Sequence, residues 1–238
     1  MFLDYDGTLA DFAPTPDEVN PDPELIDILT RLVKHPDIQP AIISGRRLNH
    51  VISLVPVTGL LLAGTYGIEI RTPNGNLVNR LDYSEIRPGL DILKPVWNQL
   101  ISGHKGFFLE DKDWTLAIHA RFVEDQVAEK VLKTARQTAG KSIDRNIFRI
   151  LGGEKFLEVG PKAANKGASI EYLMNRYPLK GALLTYIGDD DKDEEAFAVI
   201  NQHKGIAVVV SETERNTYAS LRLNDPESVR KWLRSLLT

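Results

Sequence analysis

Cysteine is missing from all 238 residues, which removes disulfides, thiolate zinc sites and a cysteine nucleophile together. An excess of basic charge is missing too. The formal net charge is −4, so neither nucleic acid nor an anionic membrane is indicated as the main partner. No apolar run is long enough to span a membrane and no signal peptide is visible. Histidine is scarce, and His35, His50, His104, His119 and His203 lack the spacing of a metal site. Internal repeats and low-complexity tracts are absent. What remains is 42% hydrophobic and 26% charged, the composition of a globular chain with ample core. The length allows one domain with an insertion or two modest ones. A cytoplasmic enzyme or binding protein is the expectation.

Four short apolar runs, 41–43, 60–63, 183–187 and 206–210, each end in glycine, serine or aspartate. That is the pattern of parallel strands covered on both faces. Phe2-Leu3 is a fifth and unusually short lead-in, as a trimmed N-terminus would leave. Asp22 and Pro23 open a helix whose stripe is Leu25, Ile28, Leu29 and Leu32. Further helices are predicted at 48–55, 166–177, 193–201 and 226–237. Pro73-Asn74-Gly75-Asn76 reads as a hairpin turn. The alternation predicts an α/β fold with a doubly wound, mostly parallel, Rossmann-like core. Residues 88–161 break it with a helix at 89–101, strands at 107–110 and 115–121, a helix at 123–138, and a hairpin around Gly152-Gly153. They predict an inserted α+β cap for substrate specificity, with 1–87 and 162–238 as the catalytic core and the cleft between them as the ligand site.

The chemistry sits at the predicted strand ends. Asp4 and Asp6 project to one side of a strand, and a rim position followed by Gly7 lets both carboxylates escape the core. Such a pair suits magnesium and nucleophilic or acid/base work. Ser44-Gly45-Arg46 offers a hydroxyl and backbone amides to an anion. Asn165-Lys166-Gly167 joins an ammonium to a positive helix terminus. Gly188-Asp189-Asp190-Asp191-Lys192-Asp193-Glu194 supplies an acidic cluster. Each has a bland explanation alone: a solvated turn, a serine cap, a surface lysine, a solvated acidic loop. All four at one sheet edge, in this order, fit phosphoryl transfer, with carboxylates for a metal and serine and lysine for the phosphoryl group.

The ordered set resembles the haloacid dehalogenase superfamily of phosphatases along the whole chain. The resemblance implies that Asp4 attacks phosphorus, and that Asp6 protonates the leaving oxygen and later activates water. It implies Thr8, Ser44, Gly45 and Lys166 around the phosphate, and Mg2+ held by Asp4, the Asp6 backbone carbonyl and Asp189. Asp190 and Asp193 would act behind these ligands or hold Lys166. More narrowly, Gly64-Thr65-Tyr66-Gly67-Ile68-Glu69, Glu110-Asp111-Lys112, His119-Ala120-Arg121 and Leu157-Glu158-Val159-Gly160-Pro161 look like trehalose-6-phosphate phosphatase. Tyr66, Ala120 and Gly160 stand where that family usually has histidine, tyrosine and arginine. The family implies that Glu110, Lys112, His119, Arg121 and Glu158 contact the sugar. A magnesium-dependent phosphomonoesterase for trehalose 6-phosphate, with a functional link to a trehalose-6-phosphate synthase, is the resulting expectation. A phosphatase for glucosylglycerol phosphate or a glycosyl-phosphoglycerate stays open, as does a catalytically silent sugar-phosphate sensor.

Overall fold

A computed structural model describes residues 1–11, 20–153, 155–178 and 180–237. The chain divides into two compact units, Met1–Arg80 with Asn165–Thr238, and Leu81–Ala164. The sequence boundaries near 88 and 161 fall inside regular elements of the second unit, not at the crossovers.

The larger unit is an α/β sandwich around one eight-stranded sheet. Its strands are β1 (Phe2–Leu3), β2 (Ala41–Ile43), β3 (Leu61–Gly64), β4 (Glu69–Arg71), β5 (Leu77–Asn79), β10 (Thr185–Gly188), β11 (Ile206–Val210) and β12 (Leu221–Leu223). The spatial order is β12-β11-β10-β1-β2-β3-β4-β5, parallel throughout except for β4 and β5. Strand β1 lies between β10 and β2, so the chain reverses its direction of winding at β1. Open α/β sheets bind ligands at that switch point, beyond the carboxyl ends of the strands.

Alternation along each strand separates two cores. Leu3, Ile42, Leu62, Ile187 and Val208 face α1 (Pro23–Lys34), α2 (Leu48–Leu54) and α7 (Pro226–Ser235). Phe2, Ile43, Ala63, Tyr186 and Val209 face α5 (Lys166–Arg176) and α6 (Glu194–Gln202). Helix α1 starts as its sequence dictates: the Asp22 carboxylate accepts from the amides of Glu24 and Leu25, and Pro23 needs no amide partner. Its stripe of Leu25, Ile28, Leu29 and Leu32 is buried, each side chain contributing about 1.5–3 kcal/mol. Strand β10 begins at Thr185, where pairing with Ile206 begins, and Leu183 is exposed. Strand β12 had no clear sequence signal: it is three residues long on the sheet edge.

The smaller unit holds α3 (Tyr83–Ile101), β6 (Phe108–Asp111), β7 (Leu116–His119), α4 (Asp125–Ser142), β8 (Phe148–Gly153) and β9 (Phe156–Pro161). Its antiparallel sheet runs β6-β7-β9-β8. Helix α3 starts earlier than position 89 because Asp82 caps it at Ser84, and Pro88 and Pro95 are carried inside it.

Candidate active site

Strand β1 hands Asp4 directly to the switch point. The Asp4 amide donates to the Ile187 carbonyl at 2.9 Å, extending the parallel ladder by one bond. Beyond it the chain closes a tight turn, the Tyr5 carbonyl accepting from Leu9 and Ala10 at 2.8 and 3.0 Å. Gly7 takes φ +74° there, a conformation that a Cβ would strain. Asp4 is buried, whereas Asp6 points to Arg46, which donates through Nε to Oδ2 at 2.7 Å and through Nη2 to Oδ1 at 2.6 Å.

Lys166, the first residue of α5 after the Asn165 cap, sits between two carboxylates. Its Nζ lies 3.0 Å from Asp4 Oδ1 and 2.6 Å from Asp193 Oδ1. Asp193 is fully buried and saturated: it also accepts from the Tyr186 hydroxyl and from the Asp189 and Asp190 amides at 2.9 and 3.0 Å. Gly188 makes this possible, since a Cβ there would lie 2.3 Å from the Asp193 carboxyl carbon. Burial pushes Asp4 well above the ordinary carboxylate range, against the pull of Lys166 and with repulsion from Asp193, Asp189 and Asp190. Burial likewise pushes Asp189 up to about 7, reinforced by Asp193 and Asp190. Lys166 runs the other way. Burial disfavours its charge, but Asp193 and Asp4 raise it well above its usual value. Asp190 stays below its ordinary value despite burial, because Lys166 and Lys192 favour its anion.

The end of β2 runs into the Ser44-Gly45-Arg46 loop. Ser44 is buried, its Oγ accepting from the Arg46 amide at 3.1 Å. The loop is clamped by the end of β3: the amides of Thr65 and Tyr66 donate to the Arg46 and Ser44 carbonyls at 2.6 and 2.8 Å. Both clamp residues are left-handed, with φ +49° and +54°, at a cost of about 1–3 kcal/mol each. The Glu69 carboxylate supports them, accepting from Thr65 Oγ1 at 2.8 Å and from the Leu48 amide at 3.3 Å. The Tyr66 ring lies against Gly45, where a Cβ would meet it at 2.8 Å. Thr8, expected at the phosphate, is buried and donates to Asp189 Oδ1 at 3.1 Å.

Ligand atoms of Asp4, Asp189 and Asp193 lie within 4.8 Å of one another. Hard carboxylate oxygens fit Mg2+. Asp193 is already committed to Lys166, Tyr186 and two amides, so Asp4 and Asp189 are the carboxylates with capacity left for an ion, and Asp193 organises them.

The smaller unit gathers a second set. Glu110, Ala117 and Glu158 stand side by side across β6, β7 and β9. Lys112 Nζ reaches Glu158 at 3.4 Å and Glu110 at 3.6 Å, and His119 Nε2 lies 2.8 Å from Glu110 Oε2. Glu158 and Lys112 are 1% and 8% exposed, so they are not ordinary surface strand residues. Burial opposes the charge on Lys112, but Glu158 and Glu110 raise it. Glu110 is held below its usual value against burial by His119 and Lys112. The His119 ring stands 5.2 Å from Phe156 and 6.0 Å from Phe108. Arg121 is exposed past the end of β7, outside this cluster. At Gly160 a Cβ would meet Thr115 Cγ2 at 2.5 Å, so this backbone has no room for an arginine there.

Two partners escaped the sequence reading. Tyr186 reads as one more apolar strand residue, and Arg215, which donates to the Asp189 carbonyl, lies in a loop without a motif. Neither carries a local signal.

The matching family model is that of trehalose-phosphatase, over residues 2–227. Probable trehalose-phosphate phosphatase C of Arabidopsis thaliana is 31% identical, the match covering 100% of this chain and 76% of that protein. Trehalose 6-phosphate phosphatase RA3 of Zea mays is 30% identical over 99% of this chain and 69% of its own. The C-terminal domain of C. albicans trehalose-6-phosphate phosphatase superposes with a TM-score of 0.82 at 25% identity, covering 99% of this chain and 90% of that one. Among the described residues no helix is long and apolar enough to cross a membrane. The chain belongs to the trehalose-phosphatase family.

Proposed function

We propose that the chain hydrolyses trehalose 6-phosphate to trehalose and phosphate through an aspartyl phosphate on Asp4. The observation that carries this reading is the buried Asp4–Lys166 pair, 3.0 Å apart, at the switch point of the sheet. An Asp4 oxygen attacks phosphorus and the bond from phosphorus to the sugar oxygen breaks, that oxygen taking a proton from Asp6. Asp6, now a carboxylate, takes a proton from water as the water oxygen attacks phosphorus. The acyl phosphate bond breaks, freeing Asp4 and inorganic phosphate. Lys166 keeps positive charge beside the nucleophile, while Ser44 and the Gly45 amide hold phosphoryl oxygens. Asp4, the Asp6 carbonyl and Asp189 would hold Mg2+, which when bound neutralises charge on the phosphoryl oxygens. In this reading the smaller unit supplies specificity, with Glu110, Lys112, His119 and Glu158 on sugar hydroxyls. It also assigns the enzyme to the cytoplasm, downstream of a trehalose-6-phosphate synthase.

Phosphate release from a panel of sugar phosphates, with Mg2+ and with EDTA, tests the substrate. Trehalose 6-phosphate is expected to give the highest kcat/KM, and preference for another glycoside phosphate would replace the substrate while keeping the chemistry. Asp4→Asn is expected to lose several orders of magnitude in kcat, about the loss on deleting a nucleophile. Retained turnover in that variant would overturn the covalent route.

A further inference from the structure

The loop between β11 and β12 carries an arginine for which the chemistry above has no role. Arg215 Nη1 donates to the backbone carbonyl of Asp189 at 2.6 Å. Its Nη2 donates to Asp191 Oδ1 at 2.8 Å and to Glu194 Oε1 at 2.9 Å. The other Glu194 oxygen accepts from the Tyr218 amide at 2.7 Å, so the same loop is tied to α6 a second time. The Asp191 side chain is 98% exposed, and a solvated pair of that kind contributes little. The bonds to the Asp189 carbonyl and to Glu194 are the sheltered ones.

Asp189 is therefore held at three atoms. Asp193 takes its amide, Thr8 donates to its carboxylate, and Arg215 donates to its carbonyl. The first two partners are buried, and the third reaches Asp189 from a partly exposed loop. Two opposing effects on a nearby cation follow. As a charge, a guanidinium repels Mg2+, and removing it would leave Asp191 and Glu194 uncompensated and attract the ion more strongly. As a clamp, it fixes the peptide from which the Asp189 carboxylate projects, and removing it would loosen that ligand. The charge is partly exposed and already paired with two carboxylates, so screening weakens the first effect. The hydrogen bond to the carbonyl survives screening.

We propose that Arg215 is a positioning residue that sets Asp189 for the metal, and that its net effect is to tighten Mg2+ binding. The proposal rests on the reading of Asp189 as a ligand. The two readings predict opposite signs for the same variant: a pure charge effect tightens Mg2+ in Arg215→Ala, and a clamp loosens it.

The test is calorimetric titration of the full chain with MgCl2 and no substrate, for the parent, Arg215→Ala, Arg215→Lys and Asp189→Asn. Arg215→Ala is expected to weaken Mg2+ about ten-fold or more, the scale of one charge-assisted hydrogen bond. Arg215→Lys, which keeps one donor, is expected to fall between it and the parent. At saturating Mg2+ the KM for trehalose 6-phosphate is expected to be unchanged, which a general loosening of the fold would not give. Unchanged or tighter Mg2+ in Arg215→Ala, with Asp189→Asn defective, would overturn the proposal. Parent-like Mg2+ binding by Asp189→Asn would instead overturn the reading of Asp189. Should Arg215→Ala fail to fold, as judged by circular dichroism, Arg215→Lys alone decides: weaker Mg2+ supports the clamp and parent affinity removes it.

Discussion

Arg46 grips both carboxylate oxygens of Asp6, at 2.7 and 2.6 Å, from the opposite end of the loop that Ser44 begins. The pair is sheltered, with side-chain exposures of 10% for Arg46 and 23% for Asp6. Two parallel charge-assisted bonds fix orientation as well as energy. Loss of Arg46 therefore leaves Asp6, the proposed acid/base group, without a defined position. Arg46→Ala is expected to lower kcat about ten- to a hundred-fold, by the usual conversion of such a bond into rate. Arg46→Lys, unable to form the fork, is expected to recover little of it. Steady-state kinetics on trehalose 6-phosphate check both, and a parent-like kcat in Arg46→Ala would refute the assignment.

Gly188 is expected to tolerate no side chain. A Cβ would stand 2.3 Å from the Asp193 carboxyl carbon, itself locked by Lys166, Tyr186 and two amides. Overpacking of this kind costs about 1–3 kcal/mol, so Gly188→Ala should lower the thermal midpoint by several degrees, about what such a loss produces, and reduce activity with it. Gly153→Ala, with no contact within 4 Å of its Cβ among the described residues beyond its chain neighbours, is the control and should melt with the parent.

The metal-free chain is expected to lose stability as pH rises. Burial raises Asp189 from 3.8 to about 7 and raises Asp4 in the same direction. The folded state therefore holds protons that the unfolded chain has released. The stability these groups confer is full below their unfolded values and is lost as pH climbs through the folded ones. Asp190, held low, works the opposite way, but only below its ordinary value. The melting temperature in EDTA should fall between about pH 5 and about pH 8, and the gain from added Mg2+ should grow over the same window. A flat profile in EDTA would mean that these carboxylates ionise freely in the fold.

In the smaller unit the choice of substitution matters. Truncating one member of the buried Lys112–Glu158 pair strands a buried charge, at about 3–5 kcal/mol, so alanine variants would mix unfolding with lost recognition. Glu158→Gln and Glu110→Gln keep the volume, and each leaves Lys112 one carboxylate partner. Each is expected to lower kcat/KM for trehalose 6-phosphate about ten-fold or more while leaving p-nitrophenyl phosphate hydrolysis nearly unchanged. Equal losses on both esters would mean that the cluster only supports the fold.

The sequence by itself determined the elements whose cause is local. Asp22, Pro23 and a 3.6-residue stripe are enough for α1, and apolar runs closed by glycine or aspartate are enough for the parallel strands. It also determined the order of Asp4, Ser44 and Asp189, because parallel strands all end at one edge, and placed Lys166 at the start of α5. Tertiary structure decided which partner each of these took. Asp6 found Arg46, Thr8 found Asp189, and Asp193 became the hub linking Lys166, Tyr186 and two amides. Such contacts join residues far apart in the chain, and no periodicity, cap or turn signal encodes a distance between them. The extent of the smaller unit was decided the same way. Local rules start a helix just after Pro88, but α3 begins at Tyr83 and carries Pro88 and Pro95 within its span, with Leu90, Leu93 and Trp97 buried along it. Packing of that face outweighs the amide bonds that the two prolines remove.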